Sequence, residues 1–424
     1  MVYETVTHSV AHMEVCMIKK KENLFAIVLC GLLVMASVAL AQQKEGDVMK
    51  FSATIYGEGT DNRDSKANPD SNFDAYLMPR VDINLHGERD ATLDFHYAPY
   101  YRFRSNPSEI QNKTELFHDL GLSTVYQSSQ VLEFRFQDNF YKTDDPAIDK
   151  KGVTLRRDSS YMMNYITGGG NYQLSNGRTR VDLSARDTTK RYTDTLVAVE
   201  SDEDSIGVCF TGWHQAQRTL ALLGVLDYAQ FAYDSSKGIE RGFNAISAGA
   251  GLEKIVSKTL RFNLRGGMIG ADYKDDSLKA ESAPFASLEI NALSTPAARI
   301  NASLAYLLRD SDVYPFPSQE CTQFYTRMEW DTSKMLTLGL SGTYRNGKFT
   351  RGSLTPEGLI YQQASTYKTE GNKVTLIVQA DASYTIDADS STTIKLAASH
   401  ENVDSDVSEE YTRNGTSLTV SRKF

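Results

Sequence analysis

Long apolar runs are nearly absent from this 424-residue chain. Past residue 40 no stretch approaches the roughly 20 consecutive apolar residues that a membrane helix needs. With a mean hydropathy of −0.40 and 23% charged residues, a bundle of membrane helices is excluded. Cysteine is scarce, at four residues. Cys209 and Cys321 stand about six predicted strands apart, too far for a disulfide, and read as small free thiols. There is no positive excess. The net charge is −9, and a nucleic-acid partner is not expected. Tryptophan is rare, two residues against 23 tyrosines and 18 phenylalanines, so any aromatic belt must be built from the latter two.

The one apolar run lies near the start. Lys19, Lys20 and Lys21 precede residues 24–38, and Ala39-Leu40-Ala41 follows. A basic segment, an apolar segment and an A-x-A site predict a signal peptide over 1–41, cleaved after Ala41. Residues 1–16 read as an upstream-start artefact, because Met17-Ile18-Lys19 opens a conventional leader. A retained membrane helix is the alternative, disfavoured because no stop-transfer charges follow. The leader takes three lysines and three glutamates with it, leaving the net charge of −9 unchanged. A short tail is expected over 42–47.

From residue 48 to 424 the dominant signal is alternation with period two. Leu93, Phe95, Tyr97, Tyr101 and Phe103 interleave with Asp94, His96, Arg102 and Arg104. Leu132, Phe134, Phe136 and Phe140 interleave with Glu133, Arg135, Gln137 and Asn139. Such segments are strands with one apolar and one wet face. About eighteen are predicted, within a range of sixteen to twenty. Their connections alternate too: short turns such as 127–130 and 257–258, then longer polar loops such as 60–72, 193–203, 312–319 and 347–371. Segregated turns and loops predict a closed antiparallel transmembrane β-barrel, turns on the periplasmic side and loops outside. Closure is required, since lipid offers no partner to an edge strand.

The final strand, 414–424, ends on Phe424 behind Leu418 and Val420, with Arg422 as the exception on that face. An aromatic terminus on an alternating strand resembles the last strand of bacterial outer-membrane barrels. That resemblance implies an assembly signal at Phe424, read by the barrel-assembly machinery. Tyr97-Ala98-Pro99-Tyr100-Tyr101, His118-Asp119-Leu120 and residues 140–146 are similar to outer-membrane β-barrel porin families. Some of these are encoded beside exopolysaccharide-export genes. The resemblance implies an outer-membrane location, contact with lipid and lipopolysaccharide, and a partnership with export components. It assigns no functional residue.

Chemistry is sought on the wet face. Arg80, Asp82, Asp94, Arg102, Arg104, Glu133, Arg135, Arg180, Asp182, Arg186, Arg261 and Arg265 share the parity opposite the apolar side chains. Arginine at the bilayer midplane costs about 2–4 kcal/mol, so these residues are expected to line the lumen. Their two signs predict arginine–carboxylate pairing. Such a wall either binds a passing solute or simply neutralises itself. His96 and His118 fall on neighbouring strands but out of register, with His96 expected near Ser123. The acidic run 200–204 is expected in an outer loop, solvated or holding a divalent cation. The loop 347–371, with Leu359, Ile360 and Tyr361, is expected to fold inward. No metal or cofactor is expected. No Ser/His or Asp/His constellation resembles those of outer-membrane phospholipases or omptins, so no enzyme is expected. The reading is a porin-like channel for a hydrophilic solute, a saccharide or exopolysaccharide among the candidates. The alternatives are a non-transporting scaffold or adhesin and a barrel enzyme at the outer rim. A TonB-dependent receptor is disfavoured, since no plug domain is expected before the first strand.

Overall fold

The computed structural model describes residues 48–424 apart from 64–69, 88–90, 108–111, 145–159, 175–176, 235–239, 296, 312, 351–369 and 387–390. The expected leader and tail, and most of the loop 347–371, lie outside the described residues. Among those described, eighteen strands follow in order. The first nine are β1 (Val48–Thr60), β2 (Asn72–His86), β3 (Thr92–Arg104), β4 (Thr114–Ser129), β5 (Leu132–Thr143), β6 (Tyr161–Gln173), β7 (Thr179–Tyr192), β8 (Glu203–Gln217) and β9 (Leu220–Tyr233). The second nine are β10 (Phe243–Ser257), β11 (Leu260–Tyr273), β12 (Glu281–Thr295), β13 (Ala298–Asp310), β14 (Ser318–Asp331), β15 (Leu336–Thr350), β16 (Glu370–Thr385), β17 (Thr392–Ser405) and β18 (Tyr411–Lys423). One short helix, α1 (Thr195–Ser201), stands in the connection 193–203, where a plain loop was expected.

Every strand pairs antiparallel with its neighbour in sequence, and β1 pairs with β18 from Ser52↔Lys423 to Thr60↔Gly415. The ring is therefore closed, and its backbone N–H and C=O groups have partners all the way round. Side chains obey the alternation that the sequence carries. Met49, Phe51 and Ile55 point outward from β1, and Ile55 is 61% exposed on that surface. Leu396 on β17 and Leu418 on β18 face each other in register on the same outer surface. A belt of apolar side chains turned away from the interior is stable only against hydrocarbon.

The two ends of the ring differ. Four register shifts, at Gln127/Ser129, Gln215/Gln217, Ile255/Ser257 and Leu293/Thr295, all lie beside short turns. Bulges at this rim tighten the twist where the chain must reverse within a few residues. The opposite, long-loop end carries the interior packing. There Phe243, Ala245, Ala271, Ala283 and Leu308 form a buried cluster inside the ring.

Candidate functional site

All twelve residues proposed for the wall stand on the inward parity of their strands. Several pair at a spacing of two within one strand, the separation that keeps both side chains on one face. Arg80 meets Asp82 at 2.7 Å, Arg180 meets Asp182 at 2.9 Å, and Arg135 meets Glu133 at 2.5 Å. Asp94 accepts a hydrogen bond from Asn84, Arg261 lies 3.5 Å from Glu253, and Arg265 donates to Asn263. These are half-open pairs in contact with the aqueous interior.

Two pairs reach further. Arg186 on β7 lies across β8 and holds Asp227 on β9 with both Nη atoms, at 2.8 and 2.7 Å. Arg327 on β14 crosses β15 to Asp381 on β16, at 2.8 and 3.3 Å. In each case the strand beneath the guanidinium offers a glycine. A Cβ on Gly207 would stand 2.8 Å from the Arg186 guanidinium. One on Gly339 would stand 2.7 Å from both Arg327 and Asp381. Removing one Cβ thus lets a planar cation lie flat on the sheet and bind a carboxylate two strands away.

Arg102 and Arg104 behave differently from the other ten. They are 6% and 1% exposed, so they line no open surface. At the long-loop ends of β2–β5, Asp74 accepts from Arg63 at 3.1 Å and from Arg102 at 2.6 Å. Asp144 joins Arg102 to Arg104, and Arg104 continues to Glu115 at 3.3 Å. Arg102 covers the Tyr76 ring and Arg104 the Phe117 ring. This corrects the expectation of a solvent-facing lining. Asp144, from the adjoining loop, meets both guanidiniums, with Asp74 on Arg102 and Glu115 on Arg104, and little of either arginine is left to water. Alternation reports the face of a residue, not the depth at which it is covered.

The interior is narrowed by a segment expected as an ordinary polar outer loop. β12 pairs with β13 only as far as Tyr306. Beyond that point β13 curls inward, and Leu308, outward by parity, is 2% exposed against Phe243, Ala271 and Ala283. The connection 311–317 follows it into the ring. Phe316 packs on Phe349 of β15, ring centres 5.4 Å apart, with Val313 and Val407 alongside. Arg241, just before β10 and three strands round the ring from β13, fastens the segment. Its Nε donates to the Phe316 carbonyl at 3.0 Å and its Nη2 to the Ser311 carbonyl at 3.3 Å. The same guanidinium lies 4.3 Å above the Tyr233 ring. The signal was present in Val313-Tyr314-Pro315-Phe316-Pro317, a nearly apolar run that an extracellular loop has no reason to expose. The expected constriction by Leu359, Ile360 and Tyr361 falls outside the described residues.

Two further expectations are corrected. His96 and His118 are out of register as expected, His118 standing opposite Pro99, but His96 pairs with Gly121 instead of Ser123 and bonds to Asp119 at 3.0 Å. His118 stands on the outward face beside Tyr97. The acidic run 200–204 is not an open loop: Glu200 and Ser201 end α1, while Glu203 and Asp204 begin β8. There Lys190 meets Glu203 at 3.2 Å and Arg191 meets Asp204 at 2.5 Å. Asp202 accepts from the Tyr192 amide. Burial pushes the Asp202 carboxyl above its ordinary range, against the opposing pull of that amide and Arg191. Basic residues at the end of β7 thus pair with Glu203 and Asp204, in a run expected to be solvated or, alternatively, to hold a divalent cation. At the other end of the chain, Phe424 follows β18 exposed, its amide bonded to the Phe51 carbonyl and its ring under Arg422.

No family model matches the chain, and no curated protein does. Solved structures do match. OccK8 (OprE) of Pseudomonas aeruginosa is 11% identical with a TM-score of 0.47, over 89% of this chain and 98% of that one. OccK2 (OpdF) of the same organism, solved in complex with glucuronate, is 10% identical with a TM-score of 0.46, over 89% and 98%. The ferric citrate transporter FecA is 11% identical with a TM-score of 0.44, over 84% of this chain and 60% of that one. The compartment follows from the ring itself. A closed antiparallel barrel of eighteen strands, belted outside with apolar side chains, belongs in a bacterial outer membrane.

Proposed function

We propose that the protein is a porin-like channel that passes a small hydrophilic solute across the outer membrane without a reaction. One observation carries this reading: an eighteen-strand ring, wide enough to hold an aqueous interior, has a charged inner wall and a mouth narrowed by its own 311–317 segment. Selection then rests on the width left beside that segment and on the wall's paired charges. Arginine–carboxylate pairs present donors and acceptors side by side, a pattern that suits sugar hydroxyls. A saccharide is therefore the first cargo to test, and an exopolysaccharide-export partner the first association. The decisive experiment is reconstitution in planar bilayers. Discrete conductance steps are expected, and replacing Arg241 and Phe316 by alanine is expected to enlarge them. A purified, folded barrel silent in both forms would favour the scaffold or adhesin alternative.

A further inference from the structure

β12 and β13 separate before either strand ends. β12 stays paired with β11 as far as Glu281, and β13 stays paired with β14 as far as Asp310. Their own ladder stops at Ala286↔Tyr306. Among the described residues, 281–285 and 307–310 are thus left without a rung between them. Continued in the same register, the ladder sets Phe285 opposite Leu307, Pro284 opposite Leu308 and Ser282 opposite Asp310.

The alternation along β13 suits a place in the wall. Leu304 is 48% exposed on the outer surface, and Tyr306 and Leu308 share its parity. Leu308 is nevertheless packed inside the ring. In the wall it would join Met268, which stands beside Pro284 on the outer face. β12 suits the opposite arrangement. Proline cannot donate to a ladder and is tolerated where a strand serves as an edge. The inward position has fastenings of its own: Leu308 against Phe243 and Ala283, the two Arg241 bonds, and the Tyr273 hydroxyl bonded to that of Ser318 at 2.6 Å. Neither position satisfies both strands. One completes the rungs and gives up the apolar contacts; the other keeps the contacts and leaves β12 an edge. Elements with two such discrete packings are what switching motions are built from.

We infer that β13 beyond Tyr306 is a gate with two seats. In the seat the structure shows, it lies inside the ring and holds 311–317 in the mouth. In the other it zips onto β12, completes the wall and carries 311–317 out of the mouth. The gate rests on the channel reading for its effect on flow, but not for the existence of the two seats.

Ser282 is exposed on the outer face, while Asp310 stands inside the ring at 6% exposure. A disulfide between these two positions therefore forms only in the wall seat, where they become direct cross-strand neighbours. The test is single-channel recording of the whole barrel carrying Ser282→Cys and Asp310→Cys, with Cys209→Ser and Cys321→Ala to remove the native thiols. Oxidation is expected to form the bridge in the folded protein and to raise conductance about twofold, and reduction to reverse the rise. A folded barrel that forms no bridge under oxidant overturns the proposal. So does a bridge that leaves the conductance of open channels unchanged. A bridge in a barrel that never conducts overturns the channel reading alone. Should the variant not fold, the native thiols decide. Cys321 faces inward from β14 yet is 0% exposed, so it is uncovered only when the segment inside the ring moves away. Cys209, inward on β8 and half-buried, is the reference. A small charged methanethiosulfonate is expected to modify Cys321 about tenfold faster in Arg241→Ala than in the wild-type protein, with Cys209 unchanged. Equal Cys321 rates in the two folded proteins overturn the gate.

Discussion

The two halves of the long-loop mouth are closed by different physics. Over β2–β5 the space is filled with ions: Arg63, Asp74, Arg102, Asp144, Arg104 and Glu115 form one chain, nearly all of it out of water. Over β9–β15 it is filled with rings and methyl groups, and a hairpin is folded in to complete them. A buried ionic chain depends on every member, since each removal strands a charge in a poor solvent. A packed apolar cluster loses only the contacts of the atoms deleted and the cavity left behind. The ionic side should therefore be brittle and the apolar side graded.

Removing Asp74 is the strongest way to break that contrast. Asp74→Ala removes from the buried cluster the carboxylate that Arg63 and Arg102 share, leaving Arg102 only Asp144, and is expected to cost about 3–5 kcal/mol, read by urea unfolding of the folded barrel. A cost below about 1 kcal/mol would show that water reaches the cluster. On the apolar side, Phe316→Ala is expected to cost about 3 kcal/mol and to raise single-channel conductance, because the hairpin loses its anchor on Phe349. A destabilised variant of unchanged conductance would separate packing from constriction. Smaller again, Gly207→Val drives a side chain into the Arg186 guanidinium and is expected to cost about 1–3 kcal/mol. Gly212→Val, on the same strand with open space at its Cβ, serves as the control.

The smallest effect concerns pH at the β1–β18 seam. Burial alone would raise the Asp61 carboxyl, but hydrogen bonds from the Asn414 side chain and amide outweigh it and hold its pKa below the ordinary 3.8. A carboxylate depressed on folding adds stability above its unfolded pKa and loses it as pH falls through the folded value. The protection of the Asn414 amide, measured as its exchange relative to the free-peptide rate at the same pH, should therefore hold at neutral pH and fall only below about pH 4. Asp61→Asn should flatten that dependence.

Much of this was legible in the chain. The strand number, the alternation of turns and loops, and the inward parity of Arg80, Asp82, Arg180 and Asp182 all follow from a period of two, which is a local property. Pairs at a spacing of two were readable for the same reason. The partners of Arg186 and Arg327 were not, because they lie two strands away and depend on which residue the intervening strand places beneath the guanidinium. The depth of Arg102 and Arg104 was equally hidden, since it is set by Asp144 bridging the two, with Asp74 on the first and Glu115 on the second.

What the sequence alone determined is which side of each strand meets lipid and which meets water, because neighbouring side chains on an extended chain must point opposite ways. Only the tertiary structure decided what fills the ring. Whether 311–317 stands outside or folds in depends on β12 ending its pairing at Tyr306, on Arg241 being carried to it at the start of β10, and on Phe349 offering a surface. Those contacts join residues up to 75 positions apart, and no local pattern encodes them.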